Sequence, residues 1–326
     1  KLIYCMINQF VLVKHQNGRI MDNKCVVILM ATYNGGSYLS QQLDSILAQT
    51  HKNWKLLVRD DCSTDNTIKI LKKYQEQDKR ITILDNKGIN LKTIGNFFEL
   101  IQCAPDSDYY ALCDQDDYWY PDKLKRAILC LENKFNDNSI PLLYCSAKEI
   151  ADEHLNVREI SVISKPKLTW QSALVENICT GCTCVFNSAL RQKAVLYTPK
   201  KCIMHDWWLY LLAVGMGKAY YDKQSYIKYR QHNNNVCGDI DSGWKLFRYR
   251  VCQFFSKRGQ TYEQTEEFLG IFGVQLGKKE RKIAKLLILS RYNIKARIYL
   301  VHKQLVYRQT KKDNRVVKFL VLTGKL

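Results

Sequence analysis

The stretch "CVVILMATYNGGSYLSQQLDSILAQTHKNWKLLVRDD", residues 25–61, changes its hydrophobic period twice. "CVVILMATYN" is a continuous apolar run that ends in turn residues, the pattern of a strand buried on both faces. In "SYLSQQLDSILAQ" the apolar residues Leu39, Leu43, Ile46 and Leu47 recur at helical spacing, and "WKLLVRDD" returns to a buried strand.

The alternation continues on the C-terminal side. Helix "TIKILKKYQEQ", strand "ITILDN", helix "GNFFELIQCA" and strand "YYALCDQDD" follow in turn, and then helix "PDKLKRAILCLENKF", whose Pro121 suits a first turn. Strands alternating with helices of about 10–15 residues predict an α/β domain with a mostly parallel central sheet and helices on both faces. Past residue 140 the pattern loosens. "PLLYCSAKEI" and "ICTGCTCVFN" read as strands, "SALRQKAVLY" and "HDWWLYLLAVG" as helices, and "KAYYDKQSYIKYRQH" as a strand again. Beyond Trp244 the chain reads as helical throughout.

The composition supports a folded enzyme-sized domain with an appendage. Hydrophobic residues make up 46% of the 326, enough for a proper core and too many for general disorder. The net charge of +19 is uneven, because from Trp244 onward 20 Lys and Arg face only 5 Asp and Glu. The expected division is a catalytic domain over residues 21–240 and a basic, amphipathic helical tail over 241–326. Residues 1–20, which precede Met21 and the first clear strand, are expected to be an extension outside the fold rather than an abortive signal sequence. The 13 cysteines are an odd number and sit mostly in apolar runs, as small buried hydrophobes do in a reducing cytoplasm. Cys179, Cys182 and Cys184 cluster, but no second ligand pair completes a zinc site. No run reaches the roughly 18 apolar residues that a membrane-spanning helix needs.

In sheets of this kind ligands bind beyond the carboxyl ends of the strands. Thr32, Tyr33 and Asn34 follow the first strand, Asp60 and Asp61 the second, and Asp114, Asp116 and Asp117 the fourth. Three acids within four positions repel one another unless something neutralises them. Asp-x-Asp at a strand end suits Mg2+ or Mn2+, hard cations that take carboxylates together with water and substrate phosphates. Alone, the pair also occurs in surface turns; here an apolar strand precedes it and the aromatic run Tyr118-Trp119-Tyr120 follows.

Three further segments each have two readings. In "RDDCSTDNT", Ser63 or Thr64 with Asp65 can cap the next helix, while Asp60 and Asp61 are free to accept bonds from a base or ribose. In "MHDWWLYLLA", Asp206 either caps the helix above two core tryptophans or serves as a general base desolvated by Trp207 and Trp208. In "YRQHNNN", Arg230 and His232 share a strand face that suits a diphosphate or is simply the solvent side.

The order of these pieces resembles family 2 glycosyltransferases of the GT-A fold. "ATYNGGSYLSQQLDSILAQTHKNWKLLVRDDCSTDNT" resembles that family's opening strand, helix and nucleotide-contacting turn, "CDQDDYWYPDKL" its metal-binding region and "TGCTCVFN" its acceptor-side segment. "MHDWW" and "YRQHNNNVCG" resemble the rhamnosyltransferase subgroup of bacterial surface polysaccharide synthesis. The resemblance implies that Thr32 and Tyr33 border the base and that Asp61, with or without Asp60, contacts base or ribose. It implies that Asp114 faces ribose and metal, that Asp116 is the main ligand of Mg2+ or Mn2+, and that Asp206 is the catalytic base. Cys62 stands where Gly is usual, so an altered turn backbone is expected there. His205 replaces the more common acid, as in the subgroup.

The implied reaction is inverting transfer from a nucleotide sugar, dTDP-L-rhamnose first, to a lipid-linked or polysaccharide acceptor. A galactosyl- or glucosyltransferase using a UDP-hexose is the rival within the class. Ile294, Ile298, Val301 and Leu305 fall on one helical face with Lys295 and Lys303 off it, as in a helix lying on an anionic membrane surface. The alternative is a helix packed back onto the domain. A peripheral position at the inner face of the cell membrane, in the cytoplasm, is expected. A nucleic-acid binder is disfavoured, because the basic charge avoids the α/β part and no binding motif occurs. A dinucleotide oxidoreductase lacks its G-x-G-x-x-G after the first strand. A catalytically dead sugar-nucleotide binder is disfavoured by the retained Asp114, Asp116 and Asp206.

Overall fold

The computed structural model describes residues 23–232 and 259–326. The expected N-terminal extension, residues 1–20, lies outside the described residues, as do residues 233–258. β1 (Val26–Thr32), α1 (Leu39–Leu47), β2 (Trp54–Asp60), α2 (Thr67–Gln77), β3 (Ile81–Leu84), α3 (Lys92–Cys103) and β4 (Tyr109–Cys113) follow one another as the alternating pattern requires. The four strands are parallel in the order β3-β2-β1-β4. Thr32 pairs with Asp60 and Met30 with Cys113, so the turns after β1, β2 and β4 open on the same edge of the sheet.

The chain continues with β5 (Tyr118–Trp119), α4 (Lys123–Lys134), β6 (Leu142–Ala151), β7 (Val157–Ser161), α5 (Trp170–Ala173), β8 (Val185–Asn187), α6 (Ser188–Ala194), α7 (His205–Met216) and β9 (Lys218–Arg230). β8 runs antiparallel between β4 and β6, β9 lies parallel to β6, and β5 closes the sheet antiparallel to β9. The nine-stranded sheet is therefore parallel in its first half and mixed in its second. "ICTGCTCVFN" is a strand only over Val185–Asn187. Before it, Gly181–Thr183 form a 3-10 turn, because the Thr180 carbonyl accepts the Thr183 N–H at 2.9 Å and the Thr183 hydroxyl at 2.7 Å. Local bonds there replace a ladder.

The alternation of side chains along β1 splits the core. Val26, Ile28 and Met30 face a layer with Leu43 and Ile46 of α1, Leu71 of α2 and Ile128 and Leu131 of α4. Val27 and Leu29 face Phe97 and Leu100 of α3, Leu190 of α6 and Trp208 to Leu212 of α7. Helices on both faces bury the parallel strands, as such sheets demand.

Four helices end the chain: α8 (Gln260–Phe272), α9 (Lys278–Ser290), α10 (Ile294–His302) and α11 (Lys311–Thr323). Their Phe268, Phe272, Leu287, Leu300 and Val321 belong to the same apolar layer as α7. The Phe268 ring lies 5.1 Å from that of Trp208 and 5.4 Å from that of Trp170. The face expected on α10 is divided in the structure. Ala296 and Leu300 are its buried positions, Ile294 and Ile298 are exposed, Val301 is partly buried, and Leu305 lies beyond the helix end. Packing against α9 and α11 selects a different stripe from the one the spacing suggested.

Candidate functional site

A cavity of about 760 Å³ opens at the carboxyl edge of the sheet. The ends of β1, β2, β4 and β9, residue 148 of β6 and the first turns of α3 and α7 line it. Thr32, Tyr33, Asp61, Asp114, Asp116, Asp206 and His232 all face it; Asp60 and Arg230 do not.

At one end, the two acids after β2 divide their work. Asp60 is buried and accepts from the Thr32 hydroxyl at 2.8 Å, the Ser63 N–H at 2.7 Å and the Ser63 hydroxyl at 2.6 Å. Its carboxylate is consumed in holding the turn, so of the expected pair it is the structural member. Asp61 accepts from the Leu91 N–H at 2.7 Å and from Arg59 at 2.9 Å, both on Oδ1, which leaves Oδ2 for a ligand. The N-cap of α2 is Asn66, without a side-chain cap bond, and Asp65 just before it accepts from the Thr67 N–H at 3.0 Å. Between them Cys62 has φ 67°, the left-handed conformation that glycine takes most easily. The turn thus keeps a glycine-like backbone although a side chain is present, contrary to the altered backbone expected there.

Sequence reading missed the loop that completes this end. Asn90 donates to the Asp61 carbonyl at 2.7 Å, Asn86 to the Asp60 carbonyl at 2.9 Å and Arg59 to the Ile89 carbonyl at 2.8 Å. These bonds bring Asn90 and Lys92 to the cavity wall beside Asp61. A run of Asp, Asn, Lys and Gly after "ITIL" signals a loop but not its destination.

The acid cluster lies at the middle of the cavity. Gln115, between the two acids of Asp-x-Asp, accepts from the Tyr33 N–H at 2.8 Å and donates to the Tyr33 carbonyl at 2.9 Å. A Cβ on Gly35 would stand 2.2 Å from the Gln115 side chain, so this closure of β1 onto β4 needs glycine there. The Asp116 carboxylate meets His232 Nε2 at 2.8 Å. Arg230 is buried beneath, its Nε donating to the Asp116 carbonyl at 2.6 Å, its backbone N–H to Asp117 at 3.2 Å and its guanidinium also to Gln41 and Glu153. Arg230 and His232 therefore do not act as a pair on one strand face. Arg230 fixes the backbone of the acids from below, and His232 reaches the cavity. The expected contact of Arg230 with a diphosphate is replaced by this positioning role.

Loss of hydration, then the charges of Asp116 and Asp206, push the Asp114 carboxyl up to about 7. Burial, then the charges of Asp116 and Asp114, raise Asp117 well above the usual carboxylate range, and its Oδ2 has no hydrogen-bond partner. Oxygens of Asp114 and Asp117 lie with the Cys182 sulfur within 4.8 Å of one another. Crowded, under-bonded carboxylate oxygens fit a hard divalent cation. Among the described residues the donors close enough to share one ion are those of Asp114, Asp117 and Cys182, while Asp116, the expected main ligand, stands outside that group with its carboxylate on His232.

The far wall carries Asp206. The N-cap of α7 is Met204, and Asp206 lies in the first turn of the helix. Gly181 donates its N–H to Asp206 Oδ2 at 2.8 Å and Trp207 its own to Oδ1 at 2.7 Å. Burial pushes the carboxyl up to about 6 against the lowering effect of these two bonds. A Cβ on Gly181 would stand 3.5 Å from Asp206 and 3.1 Å from His205 Nε2, so the 3-10 turn brings a bare backbone to both. His205 stacks on Phe97 at 3.9 Å, and burial pushes its imidazole down to about 3, which keeps it neutral. Of the two tryptophans, Trp208 is core, and Trp207 donates its ring N–H to the Ala173 carbonyl at 2.6 Å.

Known proteins share this architecture. The description "Glycosyl transferase family 2" matches residues 27–194. The dTDP-rhamnosyl transferase RfbG of Shigella flexneri is 32% identical over 64% of this chain and 73% of its own. S. aureus TarS residues 1–349, solved with UDP-GlcNAc, superposes with a TM-score of 0.53 at 16% identity over 92% of each chain. Mannosyltransferase PcManGT from Pyrobaculum calidifontis, solved with GDP-Man and Mn2+, gives a TM-score of 0.51 at 15% identity over 92% of this chain and 85% of that one. The two structures share the fold, a GT-A-like α/β sheet with its ligand edge on one side. With the match running from β1 to the end of α6, this chain is a member of glycosyltransferase family 2.

Proposed function

We propose that the protein transfers a sugar from a nucleoside diphosphate donor, dTDP-L-rhamnose first, to a hydroxyl of a lipid-linked or polysaccharide acceptor, with inversion at the anomeric carbon. The observation that carries this is the meeting of two acidic features in one cavity: a crowded cluster at Asp114 and Asp116, and the desolvated Asp206, near enough for its charge to act on Asp114.

The base and ribose rest against Tyr33 and Asp61, and the diphosphate lies toward Asp114, Asp116 and His232. Asp116 and Asp114 would hold Mg2+ or Mn2+, which would supply positive charge for the leaving diphosphate. Asp206 accepts the acceptor's hydroxyl proton while that oxygen bonds to the anomeric carbon. The bond from carbon to phosphate oxygen breaks, its electron pair leaves with the nucleoside diphosphate, and no covalent enzyme intermediate is needed. The rhamnose assignment is supported by RfbG and by the "MHDWW" segment. The proposal includes a role in cell-surface glycan synthesis at an anionic membrane surface on the cytoplasmic side, which the basic C-terminal helices support.

The test is release of nucleoside diphosphate from a panel of nucleotide sugars, with Mg2+ or Mn2+ and after chelation. dTDP-L-rhamnose should turn over fastest, and Asp116→Ala should lose the dependence on the cation. Turnover of a UDP-hexose with dTDP-rhamnose inert would move the protein to the galactosyl or glucosyl class.

A further inference from the structure

Lys148, in the second half of β6, lines the cavity. Its ammonium stands 4.1 Å from the centre of the Tyr229 ring. Among the described residues no carboxylate lies within ion-pair distance of it. The ring holds the side chain by cation–π attraction without using any of its three N–H donors. Lys148 nevertheless acts on both Asp114 and Asp206, since its charge favours the ionised form of each. Its charge thus reaches an acid of the cluster and Asp206 from one cavity wall.

The charge balance of the reaction shows what an unpaired ammonium can do there. As the carbon–oxygen bond breaks, the departing nucleoside diphosphate gains one negative charge, while the acceptor's proton goes to Asp206. The cavity wall is rich in carboxylates, with Asp61, Asp114, Asp116 and Asp206 on it, so added negative charge meets repulsion unless a cation faces it. We propose that Lys148 binds the sugar-side phosphate of the nucleoside diphosphate and stabilises the charge that collects on it during transfer. Its three donors suit phosphate oxygens, and its place on a buried strand fixes its position. The inference rests on the cavity being the donor site.

The experiment measures calorimetric binding of dTDP, UDP and GDP in the presence of Mn2+ and without acceptor. Wild type, Lys148→Met and Lys148→Arg are compared, with melting temperature as a check on folding. Lys148→Met should bind its nucleotide at least tenfold more weakly and lower kcat, with the acceptor KM unchanged, and Lys148→Arg should recover most of the loss. If the Met variant does not fold, Lys148→Gln carries the same expectation. Equal nucleotide affinity in wild type and variant overturns the inference. So does an effect confined to the acceptor KM, which places the lysine on an acceptor phosphate, or to the pH profile, which makes it only a counter-charge to Asp206. Wild type that binds none of the three nucleotides overturns the donor-site reading itself, a result distinct from the others.

Discussion

Asp206 shows how one side chain trades stability for chemistry. Burial raises its carboxyl from the ordinary 3.8 to about 6, so the folded chain binds this proton more tightly than the unfolded one. Stability from this group is greatest below about pH 4, declines as pH rises to about 6 and is level above, a loss of about 3 kcal/mol for a shift of roughly two units. Asp206→Asn removes the charge and keeps an acceptor oxygen for only one of Gly181 and Trp207, which bond different carboxylate oxygens. Relative to wild type the variant's melting temperature should fall as pH is lowered from 7.5 toward 4, because only wild type gains stability by taking up the proton, while transfer falls about a hundredfold or more. Wild-type transfer should decline as pH drops through about 6. Undiminished turnover in the Asn variant, or a flat wild-type profile across that range, removes Asp206 as the base. The acid was legible from its place at a helix start. The division between Asp60 and Asp61 was not, because the loop that engages Asp61 comes from residues 86–91, some thirty positions away. Lys148 was also missed, since one lysine in a strand is usually a solvated edge.

Local period made the elements readable wherever the chain supplies its own partners. α2 fills its expected span, and β1 to β4 sit where the apolar runs end. β5 escaped notice, being two residues whose ladder exists only because β9 lies alongside, and so did β7, an exposed strand borrowed from the edge of β6. The turn between β2 and α2 gives a sharper test of local physics. A non-glycine residue in the left-handed region costs about 1–2 kcal/mol, and Cys62 at φ 67° bears that strain. Cys62→Gly relieves it but loosens the unfolded chain, so a net gain of about 0.5–1 kcal/mol is expected from urea midpoints. A loss of stability instead would mean that the thiol's packing outweighs the backbone strain.

At the scale of the whole molecule, the C-terminal helices are at once part of the core and unlike the rest of the surface. Of 15 large apolar side chains exposed among the described residues, nine lie at or beyond Val274, so the excess is not an even scatter. α10 presents Ile294 and Ile298, and α11 presents Val316, Phe319 and Leu322. Arg297 of α10 donates to the Leu322 carbonyl at 3.4 Å, which ties the two stripes together. Residues 259–326 also carry 15 Lys and Arg against 5 acids. Apolar side chains set among cations fit an anionic lipid interface, where each basic residue near the surface adds about 1 kcal/mol. No described helix is long and apolar enough to cross a membrane. The full chain should co-sediment with vesicles containing phosphatidylglycerol and not with pure phosphatidylcholine, and salt should release part of it. Replacing Ile298 and Phe319 together by Ser removes apolar contact from two exposed sites, so binding should weaken about tenfold or more while donor hydrolysis in solution is unchanged. Equal partitioning of wild type into neutral and anionic vesicles, or none into either, would leave these helices as packing for α7 with a merely solvated outer face.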